Sequence, residues 1–366
     1  MKDNKDIKDI KDIKDIKDIM RQYGLSESIK KAAEQYADLT TARIISQEKG
    51  KYRLISSQEE KWGEISGRFH YDVQAKSEYP AVGDFVMTDW NESGGNAIIH
   101  HVLPRKSSFI RKAAGEKNEE QIVAANIDTV FLCMSLNNDF NLRRLERYIS
   151  VAWNSGAVPV VVLTKADLCE GLDRKMADVY SVAAGIDILV TSALDHKGYE
   201  QMDPYLETGK TIAFIGSSGV GKSTLINCLL GENHMETNGL RNDDKGRHTT
   251  THRELILLPS GGMVMDTPGM RELGMWNAGD GIDQTFADIE KLAQKCRFRD
   301  CSHSGSEPGC AVQKAVECGE LSHDRLRSYQ KLMNENRYME NAQDYLMEKK
   351  QKFKNIAKIN KKNRKR

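Results

Sequence analysis

The stretch "GSSGVGKST", Gly216 to Thr224, combines three glycines, a lysine and several hydroxyls within nine residues. It matches G-x-x-x-x-G-K-[ST]. It also follows an apolar run and opens a helical pattern, the context that makes this spacing a phosphate-binding loop. Glycines lack Cβ atoms, so consecutive backbone N–H groups can wrap an anion. Gly216, Ser217, Ser218, Gly219, Val220 and Gly221 are expected to form the cradle. Lys222 should reach the β- and γ-phosphates and the Ser223 hydroxyl should hold Mg²⁺, with Thr224 completing the loop.

A phosphate cradle does not choose a base. Thr164-Lys165-Ala166-Asp167, at the end of "VPVVVLTKADL", does. Guanine presents N1–H and N2–H₂ as adjacent donors, and one carboxylate accepts both; adenine offers no such pair. Asp167 is therefore expected to select guanine, the Lys165 stem to lie along the base, and Thr164 to tie this loop to the phosphate loop. "TSA" ends the next strand pattern, where Ser192 and Ala193 are placed to offer a backbone N–H to the guanine O6.

"MDTPGM" reads as a switch: Asp266 holds Mg²⁺ through water and the Gly269 N–H senses the γ-phosphate. "GRHTTTHREL" lies between the phosphate loop and that switch, where the other γ-phosphate sensor belongs. Thr250 or Thr251 caps Mg²⁺ there, and the sequence leaves both open. Met270 stands where Ras-like enzymes carry the glutamine that positions water, so slow intrinsic hydrolysis is expected. His248 is the candidate for orienting or polarising that water; the alternative is an ordinary surface histidine of the switch loop. Thr164–Asp167 thus precedes the phosphate loop by roughly fifty residues, the "TSA" loop also precedes it, and the switches follow it. This order is that of a circularly permuted GTPase. Moving the cut point leaves strand positions unchanged, because chain termini often lie close together.

"CRFRDCSHSGSEPGC" reads C-x₄-C-x-H-x₆-C: Cys296, Cys301, His303 and Cys310. Four soft ligands suit one tetrahedral Zn²⁺ with no open position, hence a structural site; the alternative is reduced cysteines in a small core. Cys318 is a weaker candidate ligand, and Cys133, Cys169 and Cys228 are expected in or near the core.

These residues need elements to hold them. Residues 1–37 hold a leader in which Ile recurs every third position, expected to be disordered, then a short helix. Residues 38–108 show five short strand patterns, "ISGRF" among them, punctuated by Gly and Asn. That suits an all-β OB-fold barrel, and an SH3-like barrel nearly as well. Residues 109–285 alternate buried strands with helices, a doubly wound α/β domain. Residues 286–366 hold the Cys/His cluster, a long helix and a basic tail, a mostly helical domain.

Length and composition agree with this division. The 366 residues suggest two or three domains. No run of eighteen apolar residues occurs and the N-terminal stretch has no apolar core, so neither a membrane span nor a secretory signal is expected. Seven scattered and clustered cysteines argue against a disulfide framework and for a reducing, cytoplasmic setting. The net charge of +1 hides an asymmetry: residues 349–366 hold ten Lys/Arg and no Asp/Glu, leaving −9 on the rest. A cationic tail on an acidic body suggests an anionic partner such as nucleic acid, against the blander reading of a solubilising tail.

The order of motifs, with "AANIDTVFLCMSLNNDFNLRRLERY", "VVVLTKADL", "GSSGVGKSTLIN", "GRHTTTHREL" and the Cys/His cluster, resembles the small ribosomal subunit biogenesis GTPase family, RsgA, over roughly residues 40–345. The resemblance implies an OB-fold, a permuted GTPase domain and a zinc domain. It also implies a monomer that binds GTP and GDP, uses Zn²⁺ and Mg²⁺, and engages the small subunit and its rRNA late in maturation. Hydrolysis would be stimulated by the subunit and linked to release, and the resemblance favours His248 as the catalytic group. The family usually has one residue fewer between the His and the last Cys. The rival is a guanine-nucleotide-gated RNA-binding protein in which hydrolysis is incidental.

Overall fold

A computed structural model describes residues 19–48, 50–91, 94–112, 120–195, 197–231, 253–266, 279–305 and 307–340. The repeat leader, the first switch with His248, Thr250 and Thr251, the second-switch Gly269, and the basic tail lie outside the described residues. Contacts divide the chain into two units, Met1–Tyr148 with Ser155–Leu273, and Ile149–Asn154 with Gly274–Arg366.

The first unit begins with α1 (Glu27–Ala33), capped by the Ser26 hydroxyl, which accepts from the Ile29 N–H. Strands β1 (Thr40–Glu48) and β2 (Lys51–Ser56) turn about Gly50 at φ +84°. In β2, Tyr52 and Leu54 are buried while Lys51 and Arg53 are exposed, the period-two pattern of a half-buried strand. Strand β3 (Glu60–Ile65) stops where the sequence pattern suggests a strand over "ISGRF". There the Ser66 hydroxyl accepts from the Phe69 N–H at 3.0 Å and starts α2 (Gly67–Asp72). A capping hydroxyl satisfies an otherwise orphaned helix donor, so the local cap overrides the strand pattern.

Strands β4 (Phe85–Asp89) and β5 (Ala97–Val102) complete a ring. β1 pairs with β2 and β4, β2 with β3, β3 in parallel with β5, and β5 with β4. This ring order is that of an OB-fold and sets aside the SH3-like alternative. A register shift in β1 between Ile44 and Ser46 supplies curvature that closure requires. Next comes a hairpin that sequence patterning passes over, β6 (Ser108–Lys112) and β7 (Glu120–Ala125).

The α/β part follows as β8 (Thr129–Ser135), α3 (Leu142–Ser155), β9 (Val158–Thr164), α4 (Leu172–Val182), β10 (Ile188–Val190), β11 (Thr211–Ile215), α5 (Lys222–Leu230), β12 (Arg253–Leu257) and β13 (Met263–Asp266). The sheet order is β10-β9-β8-β11-β13-β12, parallel throughout except for β12. All of β8 and β11 is buried, the near-continuous apolar run of strands covered on both faces. Phe131, Val162, Ile212 and Phe214 meet Leu225 and Ile226 of α5 in one core.

Strand β12 also pairs with β1, Ser46 opposite Glu254 and Gln47 opposite Arg253, so barrel and α/β sheet form one eleven-stranded sheet. Arg43 on β1, 1% exposed, reinforces the seam. It donates to Tyr23 O at 2.7 Å, Thr211 Oγ1 at 3.0 Å, Gly83 O at 3.2 Å and Asn126 O at 3.4 Å, and its guanidinium lies over the Phe85 ring. Burial lowers the guanidinium to about 10, opposed by Asp128 and Asp84, so it stays charged at neutral pH.

The second unit packs α6 (Gly279–Thr285), α7 (Ala287–Ala293), α8 (Ala311–Glu317) and α9 (His323–Glu340) around Ile282, Phe286, Ile289, Val312, Leu326 and Leu332. Gly281 is required: a Cβ there would lie 2.1 Å from Ser150 O. Arg325 clamps Asp288 through both carboxylate oxygens at 2.7 and 2.8 Å. No described helix is long and apolar enough to cross a membrane.

Arg43→Ala is expected to lower the unfolding free energy of the first unit by about 3 kcal/mol, because it strands several buried acceptors at once. Chemical denaturation followed by tryptophan fluorescence measures it. A change within error would remove Arg43 as the seam's anchor.

Candidate nucleotide site and metal centre

Parallel pairing brings the carboxyl ends of β9, β10, β11 and β13 to one edge of the sheet, where ligands of doubly wound folds bind. The loop Gly216–Gly221 leaves β11 there. Gly216 has no room for a side chain: a Cβ would stand 2.7 Å from Cys133 O. Gly219 and Gly221 take φ +72° and +108°, a conformation that favours glycine. Lys222, first residue of α5, donates through Nζ to Gly216 O at 2.7 Å and Ser217 O at 2.6 Å. Ser218 and Gly219 are exposed, Val220 is buried, and Ser223 and Thr224 are half-buried in the first turn of α5. Burial pushes the Cys133 thiol under this loop up to about 12, against the pull of Lys222, so it stays neutral.

The expected base loop lies against the phosphate loop. The buried Thr164 Oγ1 donates to Val220 O at 2.6 Å, and Lys165 Nζ donates to Gly219 O at 2.7 Å. Lys165 sits at φ +58°, which turns the chain sharply out of β9. The Ala166 N–H donates to Thr191 O at 3.1 Å and ties this loop to the "TSA" loop. The Ser192 hydroxyl donates to Asp167 Oδ1 at 2.8 Å and accepts from the Asp195 N–H at 3.1 Å. Asp167 and Ala193 are exposed, so the carboxylate is open to a ligand while one oxygen is held. Asp266 closes β13, half-buried, opposite Glu254.

Thr164, Lys165, Asp167, Ser192 and the 216–222 loop therefore come together. His248, Thr250, Thr251 and Gly269 lie outside the described residues. Sequence patterning missed Asp139, whose Oδ2 accepts from the Ser217 hydroxyl at 2.6 Å. The signal was the turn-forming "NNDFN" directly after a buried strand, a run in which Asn137 accepts from the Asp139 N–H.

In the second unit Cys296, Cys301, His303 and Cys310 bring one ligand atom each within 4.8 Å of one another. A tetrahedral zinc with Zn–S near 2.3 Å separates its sulfurs by about 3.8 Å. Here Cys296 Sγ and Cys310 Sγ stand 3.9 Å apart, with His303 Nδ1 at 3.7 and 3.4 Å from them. The donor set fits such an ion. The Ala311 N–H donates to Cys296 Sγ at 3.3 Å and the Gln313 N–H to Cys310 Sγ at 3.4 Å. Burial opposes ionisation of Cys296, but the Val312 and Ala311 N–H groups with Cys310 and Cys301 outweigh it and lower its thiol. The six-residue spacer closes through Glu307, which accepts from the Ser302 N–H and hydroxyl. Cys318 is exposed and outside the cluster. Cys133 is buried and Cys169 half-buried as expected, but Cys228 is exposed, because it falls on the outer side of α5.

Comparison with known proteins bears on most of the chain. The sequence model of the family described as RsgA GTPase matches residues 102–276. The small ribosomal subunit biogenesis GTPase RsgA 2 of Lactiplantibacillus plantarum is 48% identical over 318 residues, 87% of this chain and 89% of the relative. The small ribosomal subunit biogenesis GTPase RsgA of Methanosarcina acetivorans is 41% identical, over 85% of this chain and 84% of its own. Among solved structures, YjeQ from Thermotoga maritima superposes with a TM-score of 0.61 at 27% identity, covering 80% of this chain and 97% of that one. YloQ, described as a circularly permuted GTPase, gives 0.56 at 29% identity, covering 81% and 94%.

Cys301→Ala is expected to lower metal affinity by more than about a hundredfold, beyond what loss of an outer-layer partner costs. It should also loosen the helices around Phe286. Metal per chain by elemental analysis and helicity by circular dichroism read the two effects. Retention of one metal per chain would remove Cys301 from the ligand set.

Proposed function

We propose that this chain, which belongs to the RsgA GTPase family, binds the small ribosomal subunit and acts late in its maturation, with GTP hydrolysis stimulated by the subunit and linked to release. The chain is a GTP hydrolase. The observation that carries the nucleotide reading is the pair of bonds from Thr164 and Lys165 to Val220 and Gly219. They join a base-reading loop to a phosphate-reading loop that follows it in sequence. The relatives' names support the ribosomal reading, as does the cationic stretch 349–366.

In this reading the guanine edge meets Asp167, with Ser192 and Ala193 offering a backbone N–H to O6. The N–H groups of 216–221 and the Lys222 ammonium take the phosphates, with Thr224 completing the loop and Gly269 sensing the γ-phosphate. Ser223, Asp266 through water, and Thr250 or Thr251 would hold Mg²⁺, which would supply positive charge to neutralise the phosphates. His248 orients the attacking water. One zinc holds the Cys296–Cys310 loop and takes no part in the chemistry, since four protein ligands leave it no open position. The domains are the barrel over 38–108, the permuted domain over 109–285 and the zinc domain over 286–366. A role on ribosomal subunits calls for a cytoplasmic protein, acting as a monomer.

Asp167→Asn should weaken GTP binding by at least about tenfold, the loss of a charge-assisted contact, and improve binding of xanthosine triphosphate. An amide donates to the xanthine 2-oxo group, which a carboxylate repels. Titration with both nucleotides decides, and an unchanged preference would remove Asp167 from the base site.

Purified small subunits should raise GTP turnover of the wild-type chain. His248→Ala should bind nucleotide normally and lose about 10²–10⁴-fold of the stimulated rate. A flat wild-type rate with subunits would favour a nucleotide-gated RNA-binding protein instead. Full stimulation in His248→Ala would leave that histidine an ordinary surface residue.

A further inference from the structure

The turn between β8 and α3 forms a platform under the phosphate loop. Asn137 Oδ1 accepts from the Ser135 hydroxyl at 2.8 Å and from the Asp139 N–H at 3.0 Å, which shapes the turn. Asn141 Oδ1 accepts from the Arg144 N–H at 3.0 Å and starts α3. Arg144 reaches back across this turn: its Nη2 lies 2.8 Å from Asp139 Oδ2 and also donates to the Asp139 carbonyl. The Asp139 carboxylate is thus held at both its main chain and its side chain. Its Oδ2 accepts the Ser217 hydroxyl at 2.6 Å, and the carbonyl of that same Ser217 accepts Lys222 Nζ at 2.6 Å.

We infer that Asp139 is a positioning residue for GTP hydrolysis, acting through Ser217 to hold the Lys222 ammonium on the phosphate-loop axis. This rests on the reading of Lys222 as the phosphate-binding lysine. A loop rich in glycine has many backbone conformations available when empty. Ser217 is one of its few residues with a side chain, so a fixed acceptor for that side chain removes much of this freedom. Arg144 serves the same end by orienting the carboxylate. Burial works against the charge on Asp139, but Ser217 and Arg144 outweigh it and hold the carboxyl below its ordinary range. The acceptor is therefore ionised and strong at neutral pH.

A double-mutant cycle tests this. Asp139→Ala and Ser217→Ala should each lower kcat by about tenfold, a typical cost of slight misplacement, with a smaller change in KM. Combined, they should still cost about tenfold rather than about a hundredfold, because both remove one interaction. Asp139→Asn keeps an oxygen acceptor for Ser217 and loses the charge that Arg144 pairs with. It should stay within about threefold of wild type, the cost of a weakened rather than missing bond. Thermal unfolding of each variant accompanies the kinetics. Multiplicative losses in the double variant would overturn the inference, as would an Asn variant as impaired as the Ala variant. If Asp139→Ala does not fold, Ser217→Ala together with Asp139→Asn carries the test. In that case full kcat in Ser217→Ala overturns it. Wild type and Lys222→Ala run alongside. Equal turnover in those two would sink the lysine's assigned role and not the Asp139–Ser217 coupling, which titration with fluorescent GDP reads by the same cycle.

Discussion

A parallel sheet gathers the carboxyl ends of its strands on one edge, whatever order the chain visits them. That constraint underlies the nucleotide site. β9 and β10 precede β11 in sequence, yet β9, β8, β11 and β13 lie side by side with the same polarity. Thr164 and Val220 are 56 residues apart and share a buried hydrogen bond of 2.6 Å. Such a bond strengthens in a low-dielectric setting and is costly to leave unmade. The loops are therefore held together by a buried polar contact as well as by strand register, and moving the chain's cut point changes neither.

The same sheet runs on from the α/β part into the barrel. β12 pairs with β13 on one side and with β1 on the other. β12 begins at Arg253, within the last three residues of "GRHTTTHREL". The seam is further closed by Arg43, whose donors reach β11 through Thr211 and whose Nη1 lies 3.4 Å from Met263 Sδ of β13. Burying a guanidinium is unfavourable unless its donors are matched, and here four oxygens match them. The strand that carries Arg43 therefore touches β11, which enters the Gly216–Gly221 loop, and the neighbouring β12 and β13.

What could be read in the sequence depended on how local its cause was. The phosphate loop, Thr164–Asp167 and the cysteine spacing are short segments whose chemistry is complete within a few residues. Four of the five barrel strands are legible through turn residues and alternation, but the third falls on Glu60–Ile65 rather than on "ISGRF", because a serine cap three residues before Phe69 outweighs an apolar pattern. The β6–β7 hairpin, the Arg43 seam and the Asp139–Ser217 bond were not legible. Arg43 meets Met263 across 220 residues, and Asp139 meets Ser217 across 78. No pattern in either neighbourhood encodes the other partner. Cys228 was misjudged for the opposite reason: a helix beside a core has an outer side, and a cysteine can occupy it.

The metal centre shows why spacing alone sufficed there. Three sulfurs and an imidazole lie within 4.8 Å of one another, so ionising one thiol raises the cost of ionising the next. Cys301 is accordingly pushed up to about 12, with burial the largest cause, while Cys296 is lowered. His303 adds a left-handed backbone at φ +53°, unusual for a side-chain-bearing residue. Its carbonyl is held by the side-chain amides of Gln313 and Gln330. Cys310 leads directly into α8 and joins the core around Phe286. A tetrahedral divalent ion held by these four residues would offset the charge of ionised thiols and fix this turn, which would couple metal binding to folding of the loop. The C-x₄-C-x-H-x₆-C spacing is legible because the ion, unlike a hydrophobic partner, demands particular side chains at particular distances.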